Sequence, residues 1–313
     1  MNPSLFCVAN AHSAGGFGET RWRALAMELE RAGIVFEQAF TDHAGHAIEL
    51  AREASRRHSI VLAAGGDGLV HEVATGVQLG RAECTVATLP CGTGNDIAQL
   101  LGLRTTEDLL GAIKNDSAEQ IDLIRVTGRS GAFPEPRFAL LFGAVGFSSE
   151  LARKTTPAVK RIFGARFSYQ VGFLRALWSF RPVEMTIEWD GGFESGRKVL
   201  ACVANAEWAG GHTMRLAPGA DWADGWLNVL VVDAMSPIRL FVNLARLAKG
   251  AHINHPKVRT FLTKRLDVRV VPPVEIQADG ESFGQTPVRF EVVPRALRLL
   301  AKAPRTTLRA HSP

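Results

Sequence analysis

Long apolar runs are missing from this 313-residue chain. The longest, Phe138 to Phe147, is about half the roughly 20 residues a bilayer-crossing helix needs, so no span is expected. Nor does the start, Met1-Asn2-Pro3-Ser4, show the basic stretch and apolar core of a secretion signal. Cysteine is scarce: Cys7, Cys84, Cys91 and Cys202 are scattered without paired spacing among apolar neighbours. That pattern indicates buried, reduced thiols and a cytosolic setting. No HExxH string occurs, so a zinc site is not expected; His252 and His255, three apart beside Pro256, read as loop residues. No serine nucleophile elbow supports a hydrolase. No GxxxxGK[ST] string supplies a P-loop lysine, and no internal repeat or low-complexity segment is evident.

Acidic residues are missing from three stretches. From Leu151 to Val183 there are seven Lys or Arg and no Asp or Glu, from Ala234 to Leu266 again seven and none, and the tail after Glu291 adds five more. The whole chain has a formal net charge of only +5, so the remainder is strongly acidic. In the first stretch Arg153, Lys154, Lys160, Arg161, Arg166 and Arg175 interleave with Ile162, Phe163, Phe167, Tyr169, Phe173, Leu174, Leu177 and Trp178. Such a mix suits a basic amphipathic element meeting an anionic membrane surface, which places the protein at the inner membrane face as a peripheral visitor. A solvated helix packing its apolar stripe inward is the alternative. Nucleic acid is not expected, because no helix-turn-helix, zinc or RNA-binding signature accompanies the charge. A homodimer is left open.

What is present is a chain long enough for two domains, globular in composition with 46% hydrophobic and 21% charged residues. Its first part alternates strand and helix: Leu5 to Ala9, Thr20 to Arg31, Ile34 to Phe40, Ala44 to Arg56. Such spacing predicts a parallel sheet with covered faces. Beyond Asp122 short β-rich runs take over: Ile121 to Val126, Phe138 to Val145, Val183 to Trp189, Val199 to Ala204, Leu227 to Val232, Leu266 to Val271 and Val288 to Val293. These predict an antiparallel sheet or sandwich. Two helical segments interrupt it, Ala158 to Phe180 and Pro237 to Lys249, the latter with Ser236 as N-cap and Gly250 after its end. The expected division is an α/β domain over 1–128, a β domain over 129–294, and a basic tail, 295–313, packing back on the first domain.

Two glycine strings carry the chemistry. GGDG (Gly65 to Gly68) follows Ile60 to Ala64 and opens onto Val70 to Ala74; GTGND (Gly92 to Asp96) follows Thr85 to Pro90 and leads into Ile97 to Leu101. Both read as strand, turn, helix, where backbone N–H groups can point at phosphate at the carboxyl ends of parallel strands. The bland reading is a pair of tight turns. Asp67 could hold the magnesium that accompanies phosphate, or cap its own turn as an Asx residue. Asp279 and Glu281, around Gly280, are candidates for a base. An extended backbone would set both on one side, whereas an Asp-Gly hairpin turn would splay them. The loop Asp221 to Trp226 reads as a turn entering the strand Leu227 to Val232.

GGDGLVHEV, LPCGTGNDIA, the later APGADWADGWLNV and ADGE at Ala278 to Glu281 together resemble the ordered motif set of the diacylglycerol kinase catalytic family, with sphingosine and ceramide kinases similar. The resemblance runs from Asn10 to Glu281. It implies an α/β domain like that of NAD kinases and phosphofructokinases, then a β-sandwich, with the active site in the cleft between them. ATP and Mg²⁺ are the implied cofactors, and the γ-phosphoryl group would pass to the hydroxyl of a diacylglycerol-like lipid, giving a phosphatidic-acid-like product. Carried over residue by residue, Thr41, Gly65, Gly66, Asp67, Gly68, Leu69, Val70, His71, Gly92, Thr93, Gly94 and Asn95 would meet the nucleotide. Asp67 would serve the reaction through magnesium, with Glu281 as first and Asp279 as second choice of base. A structural Mg²⁺ would take the Asp224 carboxylate and the carbonyls of Asp221 and Trp226. Two positions depart from the family pattern: Leu69 stands where threonine is usual and His71 where asparagine is usual. The rival readings are an NAD kinase and a non-catalytic lipid-binding regulator.

Overall fold

The structure, a computed structural model, describes residues 4–11, 18–81, 83–90, 95–128, 136–147, 177 and 179–303. The chain begins β1 (Leu5–Ala9), α1 (Gly18–Arg31), β2 (Phe36–Phe40), α2 (His46–Ala54), β3 (Ile60–Gly65), α3 (Asp67–Gly80) and β4 (Thr85–Pro90), followed by α4 (Asp96–Leu100) and α5 (Thr106–Lys114). Strands then dominate: β5 (Ala118–Gly128), β6 (Arg137–Ala139), β7 (Phe142–Gly146), β8 (Val183–Trp189), β9 (Gly192–Ala204), β10 (Trp208–Ala209), β11 (Met214–Arg215) and β12 (Leu227–Asp233). Helix α6 (Pro237–Leu247) and a 3-10 turn (Ala251–Asn254) precede β13 (Val258–Thr263), β14 (Arg265–Val270), β15 (Glu275–Ala278), β16 (Glu281–Gln285) and β17 (Val288–Leu300). Contacts divide the chain into two units, 1–123 with 294–313, and 124–293. The chain passes between them inside β5 and inside β17.

In the first unit β2, β1, β3, β4 and the end of β17 form a parallel sheet in that order. All six residues of β3 are buried, and so are five of the six in β4, as strands covered on both faces require. Helix α3 lies close against α2 because Gly76 has no side chain: a Cβ there would meet the Ile48 carbonyl and sit 2.8 Å from the Ala51 Cβ. Trp22 of α1 is 2% exposed, and its indole N–H donates to Gln38 of edge strand β2 at 2.6 Å. The returning end of β17 is fastened by Arg298, which donates to the Thr85 hydroxyl and the Asp116 carboxylate, both at 2.9 Å. Just beyond it Lys302 pairs with Asp108 at 2.7 Å. The tail from 304 lies outside the described residues.

The second unit is an antiparallel β-sandwich. Its pivot is the long strand β9, whose first half pairs with β8 and whose second half pairs with β7 on one side and β12 on the other. The main core gathers Val145, Ile187, Val203, Val229, Val268, Ile276 and Phe290. A second cluster on Ala144, Val199, Leu230 and Val232 takes in Phe147, Leu177, Phe180 and Leu240 of α6. Helix α6 begins as the sequence suggests: the Ser236 hydroxyl accepts the Arg239 N–H at 3.4 Å, and Gly250 follows at φ +69°.

Two expectations change here. The run Phe138 to Val145 is two strands, broken at Leu140-Leu141. His252 is no loose loop residue but is 5% exposed in the 3-10 turn, its Nε2 3.1 Å from the Leu216 carbonyl, and burial lowers its pKa. Cys7, Cys84 and Cys202 are buried free thiols; burial pushes Cys84 up to about 11 and Cys202 up to about 12, so neither is a ready thiolate. Cys91 and most of the helix expected from Ala158 to Phe180, namely residues 158–176 and 178, fall outside the described residues. Among the described residues no helix is long and apolar enough to cross a membrane.

Candidate active site

Register decides where the first unit can bind a ligand. Ala9 stands opposite Phe40 and Ala64, and Gly65 opposite Pro90, so β1, β2, β3 and β4 all end at one edge. The chain leaves that edge at Asn10, Thr41, Gly66 and the residue after Pro90, and open parallel sheets take their ligands at such carboxyl ends. Thr41 is fixed by its own N–H, which donates to the Ala9 carbonyl at 2.9 Å. At the opposite edge a concavity of about 900 Å³ touches Leu5, Phe36, Ile60 and Thr85, but Arg298 there is already committed to Asp116 and Thr85.

The GGDG turn is built tightly. Gly66 is extended, with φ −93° and ψ −177°, and its carbonyl accepts the Leu69 and Val70 N–H groups at 3.0 and 3.2 Å, starting α3 directly beneath the strand end. Gly65 lets Leu69 pack directly over the turn: a Cβ there would stand 2.5 Å from Leu69 Cδ2 and make that side chain shift. Leu69, Val70 and His71 are 8%, 1% and 1% exposed, so their side chains belong to the unit's core and only their backbone can face a ligand. That accounts for leucine at 69, since a buried contact with Gly65 favours an apolar residue. With the Leu69 and Val70 N–H groups taken by Gly66, the backbone amides of the Gly66 to Gly68 turn at the positive end of α3 are the ones suited to an anion.

Asp67 joins the two glycine strings. Its Oδ2 accepts the Asp96 N–H and its Oδ1 the Ile97 N–H, each at 3.1 Å. The carboxylate therefore pins the start of α4, with Asn95 before it in the left-handed region at φ 56°, against the start of α3. Gly92, Thr93 and Gly94 lie outside the described residues. A contact the sequence reading missed comes from Glu72, one helical turn on: its Oε1 accepts the Gly45 N–H at 3.0 Å and so holds the loop after β2. The motif string GGDGLVHEV contained Glu72, but only the fold shows what it grips.

In the second unit ADGE forms a two-residue hairpin. Ala278 pairs with Glu281, and Asp279 and Gly280 both have positive φ, 47° and 92°, as the tightest hairpin turn demands. The two carboxylates are splayed. Asp279 turns inward, 8% exposed, and accepts the N–H groups of Leu140, Leu141 and Phe142 at 2.7, 2.9 and 2.9 Å. Those three donors are what breaks the run Phe138 to Val145. Buried Asn205 completes the clamp by donating to the Leu140 carbonyl at 3.1 Å, a role no motif signalled. Glu281, first residue of β16, is exposed.

In the loop before β12, Asp221 Oδ1 accepts the Ala223 N–H at 3.1 Å and Asp224 Oδ1 accepts the Trp226 N–H at 2.9 Å. Both are Asx turns, the structural alternative for this loop. A carboxylate has about four lone-pair sites, so these bonds are compatible with an oxygen-bound cation, and the donor set fits magnesium. Among the described residues, Asp42, His43 and His46 make the one group of three His, Cys, Asp or Glu side chains whose ligand atoms lie close enough together to share a metal. They form a His-x-x-His spacing that the sequence reading passes over. An imidazole–carboxylate contact of 2.6 Å between His46 Nδ1 and Asp42 already explains the arrangement. His43 is raised above the usual histidine range by its bond to the Ala44 carbonyl, with smaller help from Asp42.

Comparison with known proteins covers both units. A model of the diacylglycerol kinase catalytic domain matches residues 4–126, and a model of the YegS C-terminal NAD kinase beta sandwich-like domain matches residues 144–301. The chain is 30% identical over 268 residues to the diacylglycerol kinase of Bacillus subtilis (strain 168), covering 84% of each. It is 26% identical to that of Staphylococcus haemolyticus (strain JCSC1435), over 84% of this chain and 78% of the relative. A crystal structure described as a diacylglycerol kinase from Bacillus anthracis str. Sterne superposes with a TM-score of 0.69 at 19% identity, over 96% and 97% of the two chains. Another structure from that organism reaches 0.77 at 22% identity, over 96% and 95%. At those identities the structural likeness speaks for the fold.

Proposed function

The chain belongs to the diacylglycerol kinase catalytic family, and from that premise we propose that it is an ATP-dependent lipid kinase that phosphorylates the hydroxyl of a diacylglycerol-like alcohol. The observation that carries the reading is Asp67, whose two carboxylate oxygens draw the GGDG turn and the start of α4 together at the carboxyl edge of the parallel sheet. Phosphoryl transfer needs charge neutralised on the phosphates and an acceptor oxygen held in line, and little covalent work from the protein.

In this reading the backbone N–H groups of Gly66 to Gly68 bind phosphate oxygens, and Thr41 and Asn95 border the nucleotide. Glu281 accepts the proton of the lipid hydroxyl as its oxygen bonds to the γ-phosphorus; the bond to the β–γ bridging oxygen breaks, and ADP leaves. Asp279 is a positioning residue that fixes the turn on which Glu281 stands. Magnesium, held by Asp67 beside the phosphates, would offset their charge, and a second ion would suit the Asp221, Asp224 and Trp226 loop. In this reading the enzyme works in the cytoplasm, visiting the inner membrane face for its acceptor.

A panel of diacylglycerol, monoacylglycerol, ceramide, sphingoid base, polyprenol and NAD, incubated with Mg·ATP and read by mass spectrometry, tests the proposal. A phosphorylated glycerolipid is expected. Phosphorylated NAD alone, or no product from any acceptor, would defeat it.

A further inference from the structure

Helix α6 has two apolar faces, where a helix on a protein surface ordinarily has one. Leu240 packs into the cluster with Val199, Leu230 and Val232. At about 100° per residue the opposite side carries Ile238, Phe241 and Val242, which are 68%, 50% and 54% exposed. Arg239 and Arg246, two turns apart and both exposed, border this outer face, and exposed Lys249 follows the helix. Among the described residues none of these three cations pairs with a carboxylate. Between 234 and 266 there is no acid at all.

The surroundings extend the pattern. The acid-free stretch from Leu151 to Val183 is flanked by Phe147 and includes Leu177 and Phe180, and all three belong to the cluster that holds Leu240. Both acid-free stretches are therefore anchored in one apolar cluster. An apolar strip edged by unpaired cations is complementary to one surface chemistry, an anionic bilayer, which offers an apolar interior beneath lipid phosphates. A second copy of the chain fits less well, because a two-fold contact would set Arg239 and Arg246 against like charges.

We propose that the outer face of α6 docks this protein on an anionic phospholipid surface. Ile238, Phe241 and Val242 enter the headgroup boundary, and Arg239, Arg246 and Lys249 meet lipid phosphates. The inference deepens the lipid-kinase reading, which needs the enzyme to reach an acceptor residing in a bilayer, while the docking face itself stands on exposure and charge.

The test is co-sedimentation with phosphatidylglycerol–phosphatidylcholine vesicles and with phosphatidylcholine alone. It compares the wild type with Ile238→Ser/Phe241→Ser and with Arg239→Glu/Arg246→Glu. The wild type should bind the anionic vesicles and release them as salt rises. Each double variant should lose about tenfold or more in partitioning, with unchanged unfolding midpoints and unchanged transfer to a short-chain diacylglycerol dissolved as monomers. Vesicle binding by both variants equal to wild type would overturn the proposal, as would a wild-type dimer that the serine variant dissolves. Variant-sensitive vesicle binding without phosphate transfer to any alcohol would uphold the docking face and remove the kinase reading.

Discussion

At the carboxyl edge of β3, Asp67 precedes a glycine and takes two backbone N–H groups from the start of α4; in the β15–β16 hairpin, Asp279 precedes a glycine and takes three from the turn between β6 and β7. The dipeptide is the same and so is the tactic, a short carboxylate collecting amides that regular structure leaves over. The surroundings differ. Asp67 is partly exposed at the mouth of a parallel sheet, where solvent can reach it, whereas Asp279 is 8% exposed inside a sandwich. The comparison teaches that donor number and burial separate an acid that builds a site from one that acts in it. By that measure Glu281, exposed two residues after Asp279, is the carboxylate we propose for proton transfer.

The sharpest way to break this division is Glu281→Gln. Turnover should fall by about 10²- to 10⁴-fold with the unfolding midpoint and nucleotide affinity nearly unchanged, checked by steady-state kinetics beside calorimetry; a full rate would remove Glu281 from the mechanism. Asp279→Ala should do the reverse of that pattern first. Leaving three buried N–H groups without their acceptor should cost about 3 kcal/mol or more of stability, visible in denaturant unfolding, with lost activity following from the displaced turn. Asp67→Asn lies between them. It should cost about 1–2 kcal/mol and weaken Mg·ATP binding measured by titration calorimetry, because one substitution touches both the loop clamp and the phosphate edge. If it changes stability alone, Asp67 is purely a builder, like Asp279.

The smallest expected effect is a control on charge away from both turns. Asp108, held by the Lys302 ammonium and the Arg104 N–H, has its pKa lowered to about 2, while an unfolded aspartate titrates near 3.9. A depressed folded pKa means stabilisation that is complete above about pH 4 and lost as pH falls through about 2. Lys302→Met should flatten the dependence of unfolding free energy on pH in that window, read by denaturant unfolding, by about a few tenths of a kcal/mol at most, since the lysine is largely exposed. An unaltered pH profile would show that the pair contributes nothing.

Legibility in the sequence also differs between the two turns. Buried parallel strands give unbroken apolar runs such as Ile60 to Ala64, and a glycine turn follows its strand directly, so the GGDG edge could be placed from local pattern. The hairpin's chemistry is long-range. Asp279 meets Leu140 across 139 residues, and nothing near either position signals that Leu140 and Leu141 will turn their N–H groups aside and interrupt a run of strand-forming residues. The unit boundaries were hidden for a related reason. They fall within β5 and β17, where an apolar strand continues without any shift of composition, so a linker-based division at 128 and 294 differs from the contact division at 123 and 293. Asp42 and His46, four residues apart on opposite sides of a left-handed glycine, meet only because Gly45 bends the chain.

The account depends most on where the nucleotide's phosphates rest. Hydrogen exchange of the full chain, with and without saturating Mg·ATP, reads those amides individually. The account predicts slowed exchange across Gly66 to Gly68, with Asp96 and Ile97 unaltered because Asp67 already holds them and Leu140 to Phe142 unaltered because Asp279 does. Bound nucleotide with unchanged exchange at the first set, and protection only elsewhere, would contradict it.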